Sequence, residues 1–172
     1  MNMRTIYLAG GCYWGVEKYC SNIAGVVETE VGFANGHVDA PAYVQVKKGD
    51  TGHAETVRVA YDADVLPLEK LLRLFFRIID PTSSEKQGGD VGNQYRTGVY
   101  WSDAADEAVV LTELAVLQAA YTEPLVVEAL PLDCFYPAEE YHQKYLDKNP
   151  TGYCHVPWEE LDWVKTMDPD EI

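Results

Sequence analysis

A cysteine set between glycines and two aromatic residues is the first feature of this sequence that could do chemistry. Cys12 lies in GGCYWG, residues 10–15, where an apolar run ends in two glycines and a helical pattern begins. A cysteine at a helix start meets free backbone N–H groups and the positive end of the helix dipole, which favour the nucleophilic thiolate. Cys12 is therefore either a reactive thiol or an inert one, since many cysteines simply pack in the core.

An acidic residue at the start of an apolar strand face is the second feature. In HAETVRVAY, alternation places five residues on one face: His53, Glu55, Val57, Val59 and Tyr61. Lost hydration there would raise the pKa of Glu55 and make it a candidate general acid. Alternatively, Glu55 lies at an exposed strand end and pairs with a cation. His53 could be the base of a Cys–His pair, although a histidine at a strand edge is more often only solvated.

Two long polar segments contain further candidates. Tyr43 lies in DAPAYVQV and Tyr95 in GGDVGNQYRTG. A phenol beside Asp, Gln and Arg residues either donates a hydrogen bond to a ligand oxygen or covers the core. Asp90, in the same glycine-rich stretch as Tyr95, either orients a water or hydroxyl group or caps a turn. Tyr13 and Trp14, next to the first cysteine, either wall a small apolar pocket or belong to the core.

The other three cysteines are possible partners of Cys12. Cys154 lies in NPTGYCHVPW, and a thiol in a glycine- and proline-flanked segment could move as a resolving thiol must. Cys20 is two helical turns from Cys12, too far for a disulfide without unwinding. Cys134 follows a predicted strand, where packing is the simpler role and a relay role stays open. The absence of a CxxC pair argues against a structural zinc site or a thioredoxin-type motif.

Length and charge limit the classes of protein. The 172 residues suit one domain with a full core, so we expect a single catalytic domain over residues 1–172. The net charge of -15 provides no basic footprint for nucleic acid. No apolar run has the length of a membrane span, and the N-terminal apolar stretch is too short for a signal peptide. We therefore expect a cytoplasmic protein whose cysteines are thiols at rest.

Hydrophobic patterning predicts the elements that must position these residues. Strands are predicted for RTIYLAG, VVETEVGF, HAETVRVAYD, TGVYW and PLVVEAL. Helices are predicted for YWGVEKYCSNIAG, PLEKLLRLFFRIID, DAADEAVVLTELAVLQAAY and PAEEYHQKYLDKN. We expect Ser102 to cap the third helix, and Tyr141, Tyr145 and Leu146 to pack along the fourth. The tail from about Thr151, which carries Cys154, is expected to be irregular.

The order of these elements predicts the fold. Through Trp101 it is strand, helix, strand, strand, helix, strand, which is the split βαβ arrangement. We expect an α+β fold: a two-layer α/β sandwich with a ferredoxin-like βαββαβ core and C-terminal extensions. Two long polar loops are unusual in a compact domain unless they build a site.

Taken together, the motifs resemble those of one family. GGCYWGVE, HAETVRVAYD, DPTS, GGDVGNQYRTGVYW, YPAEEYHQKYL and NPTGYC occur in the order seen in type A peptide methionine sulfoxide reductases, from about Arg4 to Cys154. The resemblance implies an oxidoreductase that reduces the S epimer of methionine sulfoxide, free or in proteins, as protein repair under oxidative stress. It also implies no metal and no organic cofactor, with thioredoxin as the usual reductant and dithiothreitol as a substitute in vitro.

The resemblance also implies roles for the residues that match its motifs. Cys12 would be the nucleophile, and Glu55 the acid that protonates the sulfoxide oxygen. The donors to that oxygen would be Tyr43 and Tyr95, and Asp90 would be their companion.

The remaining matches imply how the substrate is held and how the thiol is recycled. Tyr13 and Trp14 would form the pocket for the methyl group of the sulfoxide. Cys154 would form a redox-active disulfide with Cys12, which thioredoxin then reduces.

Two departures from the family pattern are visible. Position 13 is Tyr where the family commonly has Phe, which would change the polarity of the pocket, and GFANG at residues 32–36 replaces the more usual GYxGG. No cysteine follows Cys154, so a two-cysteine cycle is expected unless Cys20 or Cys134 takes part. The rival interpretations are a Cys–His hydrolase with His53 or His142 as base, a thiol peroxidase, and a redox-sensor domain.

Overall fold

A six-stranded mixed sheet is the framework of the fold. The computed structural model describes residues 1–172. Its strands are β1 (Met3–Gly10), β2 (Val26–Ala34), β3 (Ala54–Asp62), β4 (Lys86–Gln87), β5 (Asp90–Val91), β6 (Thr97–Trp101), β7 (Glu128–Pro131) and β8 (Phe135–Pro137). The sheet order is β7-β6-β1-β3-β2-β8, and β4 and β5 form a separate small hairpin.

Six helices complete the chain. They are α1 (Tyr13–Ser21), α2 (Tyr43–Lys47), α3 (Leu68–Phe76), α4 (Asp106–Gln118), α5 (Tyr145–Lys148) and α6 (Trp158–Thr166). Short 3-10 turns occur at Asn93–Tyr95, Glu140–His142 and Pro169–Glu171. No helix is long and apolar enough to cross a membrane.

Strand pairing places β1 and β3 at the centre of the sheet. β1 pairs antiparallel with both β3 and β6, and β2 pairs antiparallel with β3 and β8. The one parallel pair is β6 with β7, which α4 connects as a crossover. The end of β1 at Gly10 lies opposite Thr97 of β6, so the residues that follow β1 emerge over the middle of the sheet.

The main core lies between the sheet and helices α1 and α3. It contains Ile6, Leu8, Val57 and Val59 from the strands, with Val16, Leu71 and Phe75 from the helices. The Tyr19 hydroxyl of α1 donates to the Leu74 carbonyl of α3 across 2.8 Å, which joins the two helices. The helix α1 is therefore packed on the sheet, and its last turn is joined to α3.

The C-terminal tail is the largest difference from the predicted elements. It was expected to be irregular, but it contains α6. Pro157 precedes the first turn, and Leu161 and Val164, three residues apart, are buried in the core. Glu160 pairs with Arg77 at 3.0 Å, and the Arg77 guanidinium lies 3.9 Å from the centre of the Trp163 ring. Hydrophobic patterning does not predict this helix, because only two of its residues are buried.

The fourth predicted helix is also wrong as a single element. Its region starts at the last residue of β8 and contains a 3-10 turn and the short α5, and the chain turns at Lys144, which has a left-handed φ of 55°. The buried Glu17 carboxylate accepts from the Lys144 backbone N–H at 2.8 Å and from the Thr29 hydroxyl at 2.9 Å. Tyr141 is exposed rather than packed. A contact distant in sequence thus replaces the local helical preference.

Smaller differences affect the edges of the fold. Ser102 does not cap α4, which begins at Asp106 after a turn in which the Asp103 carboxylate accepts from the Ala105 N–H at 2.9 Å. The predicted strand PLVVEAL is ordered as a strand only from Glu128 to Pro131. The two polar segments are not plain loops, because one contains α2 and the other contains the β4–β5 hairpin.

Candidate active site

Cys12 lies at the junction of β1 and α1. Gly11 has a φ of 92°, a conformation that favours glycine, and it turns the chain from the strand into the helix. Cys12 is then the residue immediately before the first helical residue, Tyr13. Its side chain is 7% exposed, so the thiol is buried rather than displayed at the surface.

The electrostatic surroundings of Cys12 correct one expectation. Burial raises the pKa of the Cys12 thiol well above its usual range, and the nearby charges of Glu55 and Asp90 raise it further. The Trp14 backbone N–H lowers that pKa, as the helix start predicts, but desolvation outweighs it. The resting form is therefore the thiol and not a thiolate.

Glu55 lies beside Cys12 and is 2% exposed. The Tyr13 backbone N–H donates to Glu55 Oε1 across 3.1 Å, and no cation pairs with this carboxyl group. Burial raises the pKa of Glu55 to about 8, against the lowering effect of the Tyr13 N–H. At neutral pH the group holds a proton, so the interpretation of Glu55 as an exposed strand-end carboxylate is wrong.

Two phenols lie at the rim above these buried groups. Tyr43 is the first residue of α2 and Tyr95 the last residue of its 3-10 turn, and both are half-buried. Burial raises the pKa of Tyr43 to about 12 and also raises that of Tyr95, and Glu55 and Cys12 contribute to both shifts. The two phenols therefore share one centre with the thiol and the carboxyl group, and both remain hydrogen-bond donors at neutral pH.

Asp90 reaches the same centre together with a residue that sequence reasoning missed. The Tyr153 hydroxyl donates to Asp90 Oδ2 across 2.9 Å. Both groups are near enough to Cys12 to interact with its charge, and the pKa of Tyr153 is raised to about 12, chiefly by burial. The only signal in the sequence was that Tyr153 precedes Cys154.

Trp14 and Tyr13 differ in what they present to the site. Trp14 is half-buried, stacks on Tyr145 with ring centres 3.7 Å apart, and donates from Nε1 to His142 Nδ1 at 3.1 Å. Tyr13 is 1% exposed, packs against Phe33, and has a hydroxyl group with no hydrogen-bond partner. The position of the indole is therefore fixed by two contacts, whereas the phenol belongs to the core.

The histidines proposed as bases for Cys12 have other roles. The Gly36 N–H donates to His53 Nδ1 at 3.1 Å, which leaves Nε2 as the donor to the Val38 carbonyl at 2.6 Å. His142 Nδ1 accepts from Trp14, and burial lowers the pKa of His142. Neither ring has a free basic nitrogen for the thiol.

The remaining cysteines have distinct surroundings. Cys154 is half-buried, and its Sγ lies 3.1 Å from the point where a Cβ on Gly15 would be, in the first turn of α1. Cys20 is fully buried within α1, and burial raises its pKa to about 12. Cys134 Sγ donates to the Gly36 carbonyl at 3.7 Å. No group of three or more His, Cys, Asp or Glu residues is arranged to hold a metal ion.

Comparison with known proteins gives one consistent result. A family model described as peptide methionine sulfoxide reductase matches residues 4–168. A curated relative from Lachnoclostridium phytofermentans, peptide methionine sulfoxide reductase MsrA, is 57% identical over 153 residues, which is 89% of this chain and 92% of the relative.

Solved structures show the same similarity. Mxr1 from Saccharomyces cerevisiae in reduced form has a TM-score of 0.86 and 38% identity, covering 91% of this chain and 92% of that one. Mxr1 in complex with Trx2 has a TM-score of 0.60 and 25% identity, covering 84% of this chain and 85% of that one. The mixed α/β fold with a central sheet is thus shared with these proteins.

Proposed function

The chain belongs to the peptide methionine sulfoxide reductase family, and from this premise we propose how its own residues perform the reaction. The protein is an oxidoreductase that reduces methionine sulfoxide to methionine with thioredoxin as reductant. Within that activity we assign it the S epimer of the sulfoxide, free or in proteins. The observation that carries the assignment of the site is the buried Cys12 thiol beside a Glu55 carboxyl group that is protonated at neutral pH.

The first step moves the sulfoxide oxygen to the enzyme. Glu55 donates its proton to that oxygen, and Tyr43 and Tyr95 donate hydrogen bonds to it, so the sulfur becomes electrophilic. Cys12 attacks the sulfur and gives up its thiol proton, which restores the proton on Glu55. The hydroxyl group then passes from the substrate sulfur to the Cys12 sulfur as the bond between the two sulfurs breaks, so methionine departs and Cys12 is left as a sulfenic acid.

The second step restores the reduced enzyme. The Cys154 sulfur attacks the sulfenic sulfur of Cys12, the S–O bond breaks, and one water is released as the disulfide forms. Thioredoxin, or dithiothreitol in vitro, then reduces that disulfide in two thiol exchanges. The position of Cys154 over the first turn of α1 supports this assignment, because Cys20 is enclosed in the core.

The substrate methyl group packs against Trp14 in this proposal. The indole is held by its stack on Tyr145 and its hydrogen bond to His142, so its face is fixed before substrate arrives. Tyr13 supports the pocket from below, and its backbone N–H orients Glu55. Asp90, bonded to Tyr153, completes the polar side of the site.

Three broader assignments accompany the reaction. The order β6-β1-β3-β2, all antiparallel, supports describing the core as ferredoxin-like, with β7, β8 and α4–α6 as extensions. We treat residues 1–172 as one catalytic domain. We also assign the protein to the cytoplasm, where oxidised proteins and free methionine sulfoxide would be its substrates under oxidative stress.

Turnover on racemic methionine sulfoxide tests the proposal directly. With excess dithiothreitol and chiral chromatography, only the S epimer should disappear, and Cys12→Ser should consume neither epimer. Replacing dithiothreitol by thioredoxin and its reductase should sustain the same turnover. Consumption of the R epimer, or activity in Cys12→Ser, would contradict the assigned chemistry. A redox sensor would instead show one oxidation and no turnover, and a hydrolase would consume no sulfoxide.

A further inference from the structure

His155 lies in a slot between the glycine turn and the first turn of α1. A Cβ on Gly11 would lie 3.1 Å from His155 Nε2, and a Cβ on Gly15 would lie 3.1 Å from Nδ1. A Cβ on Gly88 would lie 3.1 Å from the His155 Cβ. The imidazole therefore fills space that exists only because these three positions lack side chains.

The hydrogen bond of Nε2 fixes the tautomer of this ring. Nε2 lies 2.9 Å from the Gly10 carbonyl oxygen, and a carbonyl only accepts hydrogen bonds. Nε2 must therefore carry the proton, and in the neutral ring Nδ1 has a free lone pair. Burial lowers the pKa of His155, so the ring is neutral near pH 7.

That lone pair has no partner in the resting protein. Nδ1 is buried and accepts no hydrogen bond. The Cys154 Sγ lies at the same distance, 3.1 Å, from the point where a Cβ on Gly15 would be, so the thiol and Nδ1 both border the first turn of α1 at this glycine. At rest the Cys154 thiol donates to the Val156 carbonyl at 3.3 Å, and burial raises its pKa. A buried nitrogen with a free lone pair and a thiol that must lose a proton thus belong to consecutive residues and border the same turn of α1.

We propose that His155 is the general base that takes the proton of Cys154 when this thiol attacks the Cys12 sulfenic acid. The inference rests on the proposed function, since it concerns only its second step. The S–H bond of Cys154 breaks toward Nδ1 while its sulfur bonds to the Cys12 sulfur. The S–O bond of the sulfenic acid breaks, the leaving hydroxide takes up a proton from solvent, and one water is released. The imidazolium loses its proton to solvent, so the step needs no outside oxidant or reductant.

The surroundings of His155 contain few other ionisable groups. Asp90 is the charged one and stabilises the imidazolium, while Cys12, Cys154 and Tyr153 are neutral at pH 7. The Gly10 carbonyl also favours a ring that donates from Nε2 after Nδ1 is protonated. The slot can thus hold the charged ring for the lifetime of the step.

Single-turnover kinetics of His155→Gln test this role. Glutamine retains a side-chain N–H for the Gly10 carbonyl but has no basic nitrogen. With one equivalent of methionine sulfoxide and no reductant, quenched-flow sampling follows methionine release and thiol loss separately. Methionine should appear at the wild-type rate, whereas disulfide formation at pH 7 should slow by about 100-fold, the scale of general base catalysis. His37→Gln, at an exposed histidine away from the site, is the matched control and should change neither rate.

The wild-type pH profile gives a second test that needs no variant. Disulfide formation should rise with pH through a titration below 6.5 and then stay level to about pH 9, because neutral His155 is then present throughout. A rate that instead rises tenfold per pH unit up to pH 9 would show direct ionisation of Cys154 and overturn the proposal. Unchanged disulfide kinetics in His155→Gln would overturn it as well. Absence of methionine from the wild-type enzyme would instead refute the proposed function.

Discussion

The Tyr13 backbone N–H donates to Glu55 Oε1 across 3.1 Å, and this bond joins the first turn of α1 to the beginning of β3. It places the carboxyl group directly beside the residue that precedes Tyr13 in the chain, which is Cys12. In the proposed reaction, the acid and the nucleophile are therefore positioned by one backbone contact.

Glu55→Gln should remove the acid while keeping this contact, because the amide oxygen can still accept from Tyr13. Turnover with saturating sulfoxide should fall by about 10²- to 10⁴-fold, the range for loss of a general acid. Activity of the wild type should fall above about pH 8 as Glu55 loses its proton, and the variant should lack that decline. Steady-state kinetics from pH 6 to 10 measure both effects, and a fully active variant would assign the acid to another group.

The same carboxyl group should make stability depend on pH. Its folded pKa of about 8 is raised from 4.5, so between these values the folded state holds a proton that the unfolded state has released. The contribution of Glu55 to the free energy of unfolding is complete below pH 4.5 and is lost as pH rises toward 8, at up to about 1.4 kcal/mol per pH unit. Urea unfolding measures the free energy of unfolding of both proteins at pH 5 and pH 7. Between these values the wild type should lose more stability than Glu55→Gln. An equal difference at both values would contradict a buried, protonated Glu55.

Tyr13→Phe should stabilise the protein by about 1 kcal/mol, because it removes a buried hydroxyl group that has no partner. Tyr19→Phe is the matched control, since its hydroxyl donates to Leu74 in the same core and its removal should cost about 1 kcal/mol. Thermal unfolding should show shifts of opposite sign, each roughly 2–4 °C for a chain of this size. Shifts of the same sign would mean that the Tyr13 hydroxyl is hydrogen-bonded in solution.

Cys154→Ser should complete one turnover and then stop when thioredoxin is the reductant. The variant still forms the Cys12 sulfenic acid but has no thiol at the first turn of α1 to resolve it. Cys20→Ala should recycle normally, because Cys20 is enclosed in the core. The number of methionine molecules formed per enzyme molecule, with thioredoxin as reductant, distinguishes the two variants. Sustained turnover in Cys154→Ser would assign the resolving role to Cys20 or Cys134.

The sequence predicted the parts of the site that follow from local patterns. The strand ending at Gly10, the helix starting after Cys12 and the inward face of Glu55 all depend on alternation and turn chemistry within a few residues. The thiol form of Cys12 could not be predicted in this way, because the depth of burial depends on how α1 packs on the sheet. Desolvation raises the pKa of the thiol more than the helix start, which the sequence does show, lowers it.

Long-range contacts explain the other differences. The helical pattern around Tyr145 is interrupted because Glu17, far earlier in the chain, binds the backbone of Lys144. Likewise Tyr153 meets Asp90 only after the hairpin and the tail are brought together. A single sequence contains no local signal for either pair.

In the proposed cycle, the anchoring of α6 sets the local concentration of Cys154 as the resolving thiol. α5 ends at Lys148 and α6 begins at Trp158, where Arg77 holds the helix through Glu160, so Cys154 lies in a nine-residue tether, 149–157, fixed at both ends. A short tether gives an effective concentration on the order of millimolar or higher. An intramolecular thiol at that concentration intercepts the sulfenic acid before a second oxidant equivalent can convert it to the sulfinic state. In the proposed cycle, the fixed helix would thereby protect Cys12 from irreversible inactivation.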